Sequence, residues 1–302
     1  MSETNTTMPW RKKILLYLYA TFLSDKTREI TERYVVGLAI AGFVIHLFLI
    51  TLRHFGYLPE HELLKNTLVA VYTPFSIILI YEVYLLVYYL PKSISKYIGK
   101  QYEIITLIVI RKIFNDISNL EITSEWFQIK GDLQFTYDIL ASIILFFLIS
   151  IFYQLLHRRK KVNMIHEENT NRFIETKKWV SVLLVPTLVV LAFYNFYLWI
   201  NDTISTSTEG IHSLKELNNI FFEDFFTILI LTDVLLLLVS FLYTQTFQHV
   251  MRNSGFVIST VLIKMSFGQE GIVGSLLTIA AVVIGVSFMY LYLRYERMAL
   301  SD

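Results

Sequence analysis

Six long apolar stretches constrain this chain more than any other feature. They are Val35–Leu52, Thr67–Leu90, Ile139–Leu156, Trp179–Ile200, Phe225–Tyr243 and Ile272–Leu293. An α-helix needs about 20 residues to cross a hydrocarbon core of about 30 Å. The chain as a whole is 55% hydrophobic, with a mean hydropathy of +0.54, well above the value for a soluble domain. The sequence therefore predicts an all-α integral membrane protein that has the lipid bilayer as its first partner.

Composition and motifs argue against several classes of function. A net charge of +1 gives no strong positive electrostatic potential that would attract nucleic acid, so no nucleic-acid partner is expected. The chain has no cysteine, which rules out disulfides, thiol catalysis and thiolate metal sites. The HExxH, GxSxG, Walker and GxGxxG motifs are missing, and His46 has no second histidine at metal spacing. The prediction is a protein that is not an enzyme, with no cofactor and no metal.

An internal repeat is clearest between Pro74–Tyr88 and Phe225–Val239. The two segments align without a gap, and the alignment places Glu82 over Asp233. Each half thus carries one carboxylate inside an apolar helix. Many transport proteins are built from such repeats, with the functional site near the middle of the bilayer.

The similarity continues on both sides of this core. Before it, Thr31–Val35 resembles Thr176–Val180; after it, Ile104–Phe114 resembles Val257–Phe267. The sequence predicts five regions. They are an N-terminal segment with an interfacial helix (1–26), a four-helix repeat (27–161), a linker (162–171), a second four-helix repeat (172–297) and a short tail (298–302).

The distribution of lysine and arginine decides how many helices span the membrane. Two shorter segments, 101–118 and 254–268, either span it or do not. With eight spans, two short and six long, nineteen cations lie on one side and four on the other; with six spans the split is fifteen to eleven. Because cytoplasmic loops are enriched in lysine and arginine, eight spans are favoured. Both termini and the Arg158–Lys178 linker are then cytoplasmic, in the cell (inner) membrane, and the two repeats are parallel.

Charged residues within the spans are the candidate site. Glu82 and Asp233 lie at membrane depth, where an ionisable group costs at least about 2.5 kcal/mol and usually marks a pathway. Arg111, Lys112 and Lys264 lie past the middle of the short spans. Two interpretations stay open at this point. The acids line an ion pathway, or they pair with these cations and hold the helices in register.

A second candidate is a group of acids at outer helix ends. Asp138, Glu223 and Asp224 open their spans on the predicted outer side. Together they could form a vestibule that concentrates cations. The alternative is that they are ordinary solvated helix ends.

These features predict a protein that passes a small cation or a proton, as a channel or a carrier, at the interface between the repeats. The alternative is a sensor or scaffold in the membrane that signals to a partner protein and transports nothing. A homo-oligomer is compatible with either function.

Overall fold

A computed structural model describes residues 10–58, 64, 67–117, 130–159, 168–205, 214–243, 247–267, 269 and 271–298. This part of the chain is helical and has no β-strand. Its α-helices are α1 (Trp10–Phe22), α2 (Asp25–His54), α3 (Tyr72–Tyr89), α4 (Ile94–Ile117), α5 (Lys130–Arg159), α6 (Glu168–Ser205), α7 (Leu214–Tyr243), α8 (Phe247–Phe267) and α9 (Ile272–Met298). A short 3₁₀-helix, Thr67–Val71, precedes α3.

Five segments in the described part are long and apolar enough to cross a membrane. They are Trp10–His54, Leu133–Arg158, Arg172–Tyr194, Asp224–Tyr243 and Ile272–Met298. A shorter apolar helix, Thr73–Tyr89, corresponds to the remaining long predicted span. The predicted all-helical membrane protein is confirmed at this level.

Segments 101–118 and 254–268, predicted to be short spans, correspond to longer helices. α4 has 24 residues and α8 has 21, which correspond to about 36 Å and about 32 Å of length. Each is therefore long enough to cross a bilayer, although neither is among the five apolar segments. Their charged and polar residues lower their hydropathy, and several of those residues are buried against other helices.

Local signals in the sequence explain where the helices begin and end. Ser24 separates α1 from α2, and its hydroxyl accepts a hydrogen bond from the backbone N–H of Thr27 at 3.1 Å, as an N-cap does. After α2, Gly56 adopts a positive φ of 81°, and Gly271 adopts 74° between α8 and α9. Glycine tolerates this left-handed conformation because it has no Cβ.

Helices that follow one another in sequence pack side by side. α2 packs on α3, α3 on α4 and α4 on α5; likewise α6 packs on α7, α7 on α8 and α8 on α9. The largest contact between these two groups joins α5 to α9. The Ser275 hydroxyl donates to Asp138 at 2.8 Å near the beginning of both helices, and Gln134 lies beside Gly271 one turn earlier. α5 and α9 therefore run in the same direction.

Aromatic residues and glycines form the core between the two groups of helices. The ring of Phe152 packs against Tyr102 at 5.2 Å and against Phe256 at 6.0 Å, and all three are buried. The Tyr102 hydroxyl bonds that of Ser259 at 2.8 Å and reaches the backbone of Gly285. Only a residue without a side chain leaves room for it at position 285.

Candidate functional site

Glu82 forms a buried ion pair with Arg111. The pair joins α3 to α4, with Nη2 of Arg111 2.9 Å from Oε2 of Glu82, and each residue is 5% exposed. Phe75 stacks on Phe114 at 4.9 Å between the same two helices. This geometry corresponds to the pairing interpretation for the first half, since the carboxylate is neutralised by its neighbour.

Asp233, the residue aligned with Glu82, has different surroundings. It is 6% exposed, and its Oδ2 accepts a hydrogen bond from Nε2 of Gln101 at 3.1 Å. In the part of the chain that the structure describes, no lysine or arginine nitrogen lies within 4.0 Å of this carboxylate. Lys264, the expected partner, instead donates to the Thr227 hydroxyl at 2.5 Å. Asp233 is thus a buried acid held by a neutral donor.

The remaining predicted residues lie apart from this acid. Lys112 and Asp224 are exposed on α4 and α7, and the side chain of Glu223 lies outside the described part. Asp138 is 3% exposed and accepts hydrogen bonds from Ser275 at 2.8 Å and from Gln134 at 2.9 Å. It lies inside the α5–α9 interface rather than on an exposed surface.

A cavity of about 30 Å³ lies beside Asp233. That volume has room for about one or two water molecules. Its polar lining consists of Asp233, Lys177, Tyr97 and Asn253, and the rest is apolar. Lys177 is 3% exposed, and its ammonium donates to the backbone carbonyl of Lys92 in the α3–α4 connection. The cavity therefore lies where the first half of the chain meets the second.

Hydrogen bonds continue from Asp233 toward the middle of the α4–α8 contact. Gln101 donates to Asp233 through its nitrogen, and its Oε1 accepts from the hydroxyl of Thr260 at 3.1 Å. The next residues on both helices, Tyr102 and Ser259, bond each other. All of these residues are buried.

Further polar residues follow between α8 and α9. Ser266 and Thr278 bond each other at 2.9 Å, and Ser275, about one helical turn from Thr278, bonds Asp138. Ser266 lies about 10 Å from Ser259 along α8, and buried Ile263 comes between them in the helix. We define the polar track as the following residues, in order from Asp138 to Asp233: Asp138, Ser275, Thr278, Ser266, Ser259, Tyr102, Thr260, Gln101 and Asp233.

His46 bonds the Thr73 hydroxyl at 2.5 Å between α2 and α3. In the described residues, no three His, Asp or Glu side chains come together as they would around a metal ion.

Lys177 is not among the site residues that the sequence predicts, because it falls with the cytoplasmic charges of the linker. Helical spacing gives the missed signal. Position 177 shares one face of α6 with Ser181, Leu184 and Leu188, and all four are buried. Its neighbour Lys178 is on a different face and only half-buried. Gln101 and Tyr97 carry no such signal, because their position depends on how α4 packs against α7.

Comparison of the chain with protein-family models, with curated proteins and with solved structures finds no match.

Proposed function

We propose that the protein moves a proton or a small cation across the membrane along the polar track. The observation that carries this proposal is the environment of Asp233. It is a buried carboxylate with no cation within 4.0 Å among the described residues, and it lies beside a small cavity at one end of the track. Ionisable groups at membrane depth commonly mark an ion or proton pathway.

The dimensions of the site favour a carrier or a relay over an open channel. A cavity of about 30 Å³ is too small for an ion that keeps its hydration shell. Buried Ile263 also interrupts the track. Movement along it therefore requires a change in helix packing or transient entry of water.

The predicted parallel repeat is part of this proposal. Asp138 and Ser275 occupy equivalent positions in the two halves, each fifteen residues before the aligned Tyr153 and Tyr290. Parallel repeats are related by a two-fold axis along the membrane normal. Equivalent residues meet only at such an axis, and Asp138 bonds Ser275. The contact supports an axis through the α5–α9 interface, with the polar track beside it.

The predicted topology in the cell (inner) membrane can be tested directly by cysteine labelling. Cysteines are introduced singly at Ser124 and Asn163, two positions outside the described residues, in a chain with no cysteine of its own. With both termini and the linker cytoplasmic, an impermeant thiol reagent should label position 124 but not position 163 in intact cells. Both positions should react after lysis. Labelling of position 163 from outside would contradict the eight-span arrangement.

Replacing Asp233 by asparagine tests the proposed pathway. Asparagine has nearly the same shape and can still accept the hydrogen bond from Gln101, but it can neither bind a proton nor attract a cation. We expect flux in proteoliposomes to fall to the level of protein-free vesicles, while the melting temperature changes little. Glu29→Gln makes the corresponding change at an exposed carboxylate of α2, away from the polar track, and should keep full flux.

Two results would count against the proposal. Undiminished flux in a folded Asp233→Asn variant would remove this residue from the pathway. No flux of protons or of any small cation through the wild-type protein would favour the alternative, a sensor or scaffold that transports nothing.

A further inference from the structure

We infer that the species bound at Asp233 is a proton rather than a metal cation, and that Lys177 supplies the positive charge that balances the carboxylate when the proton leaves. This inference rests on the proposed function, because it names the substrate of the same site. It follows from the donors and acceptors around the cavity.

The amide oxygens near Asp233 are already used. Gln101 donates to Asp233 through its nitrogen, and its oxygen accepts from Thr260. The Oδ1 atom of Asn253 accepts from the guanidinium of Arg252 at 3.2 Å and 2.9 Å. A hard metal cation takes about six or more oxygen ligands. Besides the carboxylate, the cavity lining offers the hydroxyl of Tyr97 and no uncommitted amide oxygen, far fewer than six ligands. A proton needs only a single carboxylate oxygen.

The charges that face Asp233 point to the same conclusion. Tyr97 faces it from α4 and Lys177 from α6, and the guanidinium of Arg252 on α8 bonds Asn253, which lines the same cavity. Both cations are buried. A metal ion in the cavity would be repelled by two cations in a medium of low dielectric constant. A proton on the carboxylate instead becomes part of a neutral group.

Lys177 is placed to alternate between two acceptors. Its ammonium donates to the carbonyl of Lys92, and it lines the same cavity as Asp233 at a distance greater than 4.0 Å. A lysine head moves readily on its four-carbon stem. When Asp233 carries the proton, Lys177 bonds Lys92. When the O–H bond of Asp233 breaks and the proton passes to a cavity water, the ammonium turns to the carboxylate.

Ion selectivity of the wild-type protein tests the identity of the substrate. Proteoliposomes with an internal pH-sensitive dye receive a membrane potential from a potassium gradient and valinomycin. Radioactive sodium and rubidium uptake are measured in parallel down their own concentration gradients, in vesicles without valinomycin, because that ionophore itself carries rubidium. We expect proton flux that requires Asp233 and no sodium or rubidium uptake above protein-free vesicles. Sodium or rubidium uptake that requires Asp233 would overturn the inference and leave the proposed function standing. Absence of all three fluxes would be a failure of the proposed function itself.

The pH profile of proton flux tests the part assigned to Lys177. Without its positive charge, Asp233 should hold the proton more tightly. Lys177→Met should therefore shift the pH of half-maximal flux upward, and Lys177→Arg should largely restore it. Lys178→Met, the same change at the next residue, should leave the profile unchanged. An unshifted profile in a folded Lys177→Met variant would overturn this assignment. If that variant does not fold, Lys177→Gln takes its place in the pH profile, because its amide can still donate to the Lys92 carbonyl without the charge.

Discussion

Glu82→Gln should destabilise the protein by about 3–5 kcal/mol, because it leaves a buried guanidinium without its counter-charge. Arg111 is 5% exposed, and its Nη2 lies 2.9 Å from Glu82. Its Nε makes no hydrogen bond within the described part of the chain, so little else compensates the charge. The expected result is a large fall in melting temperature and in the yield of folded protein from detergent extracts.

The double variant Glu82→Gln/Arg111→Met should regain most of this stability. Methionine fills a similar volume without a charge, and replacing both partners of a buried ion pair by uncharged groups is often close to neutral. Thermal unfolding of the wild type, both single variants and the double variant gives the coupling free energy. Lys112→Met, a change at the adjacent exposed cation, is the matched control and should be nearly neutral. Equal melting temperatures for Glu82→Gln and the wild type would contradict the pairing.

The aligned acids should thus respond differently to the same kind of change. Removing the charge of Glu82 is expected to lower stability, whereas removing that of Asp233 is expected to lower flux. The difference follows from the partner of the aligned cation in each half. Arg111 pairs with Glu82, while Lys264, aligned with Arg111, bonds Thr227.

Sequence alone could locate these acids but not assign their partners. The gapless alignment and the apolar surroundings identified Glu82 and Asp233 at membrane depth. Whether Arg111 or Lys112 meets Glu82 depends on the rotation of α4 about its axis, and neither composition nor repeat similarity fixes that rotation. The structure turns Arg111 inward and leaves Lys112 exposed.

Hydropathy alone is a poor guide to the length of α4 and α8. It scores average affinity for lipid, whereas the polar residues of these helices contact protein. Thr106 and Arg111 on α4 are buried, as are Arg252 and Ser259 on α8. Lowered hydropathy made both segments look short, although the helices run for 24 and 21 residues. A helix that is covered by other helices need not be apolar throughout, because the neighbouring helices can satisfy its polar groups.

Gly285→Ala should separate α4 from α9 and weaken the junction between the two groups of helices. A Cβ at position 285 would lie 1.6 Å from the Tyr102 hydroxyl and 2.7 Å from Cζ of the same ring, so the ring must move. Overpacking of this kind costs about 1–3 kcal/mol. The displaced hydroxyl also loses Ser259, and an unsatisfied buried polar group adds about 1–3 kcal/mol.

The measurement is thermal unfolding of the purified variant beside Gly37→Ala. Gly37 lies inside α2, and a Cβ there meets nothing within 4 Å. Alanine at that position should be neutral or stabilise the protein by up to about 1 kcal/mol through helix propensity. Adding Tyr102→Phe to Gly285→Ala removes the nearest clashing atom but leaves Cζ too close, so we expect partial recovery of the melting temperature. Equal melting temperatures for Gly285→Ala and Gly37→Ala would mean that Tyr102 does not occupy the space at Gly285. In that case the polar track would lose the contact that holds Ser259 beside α4.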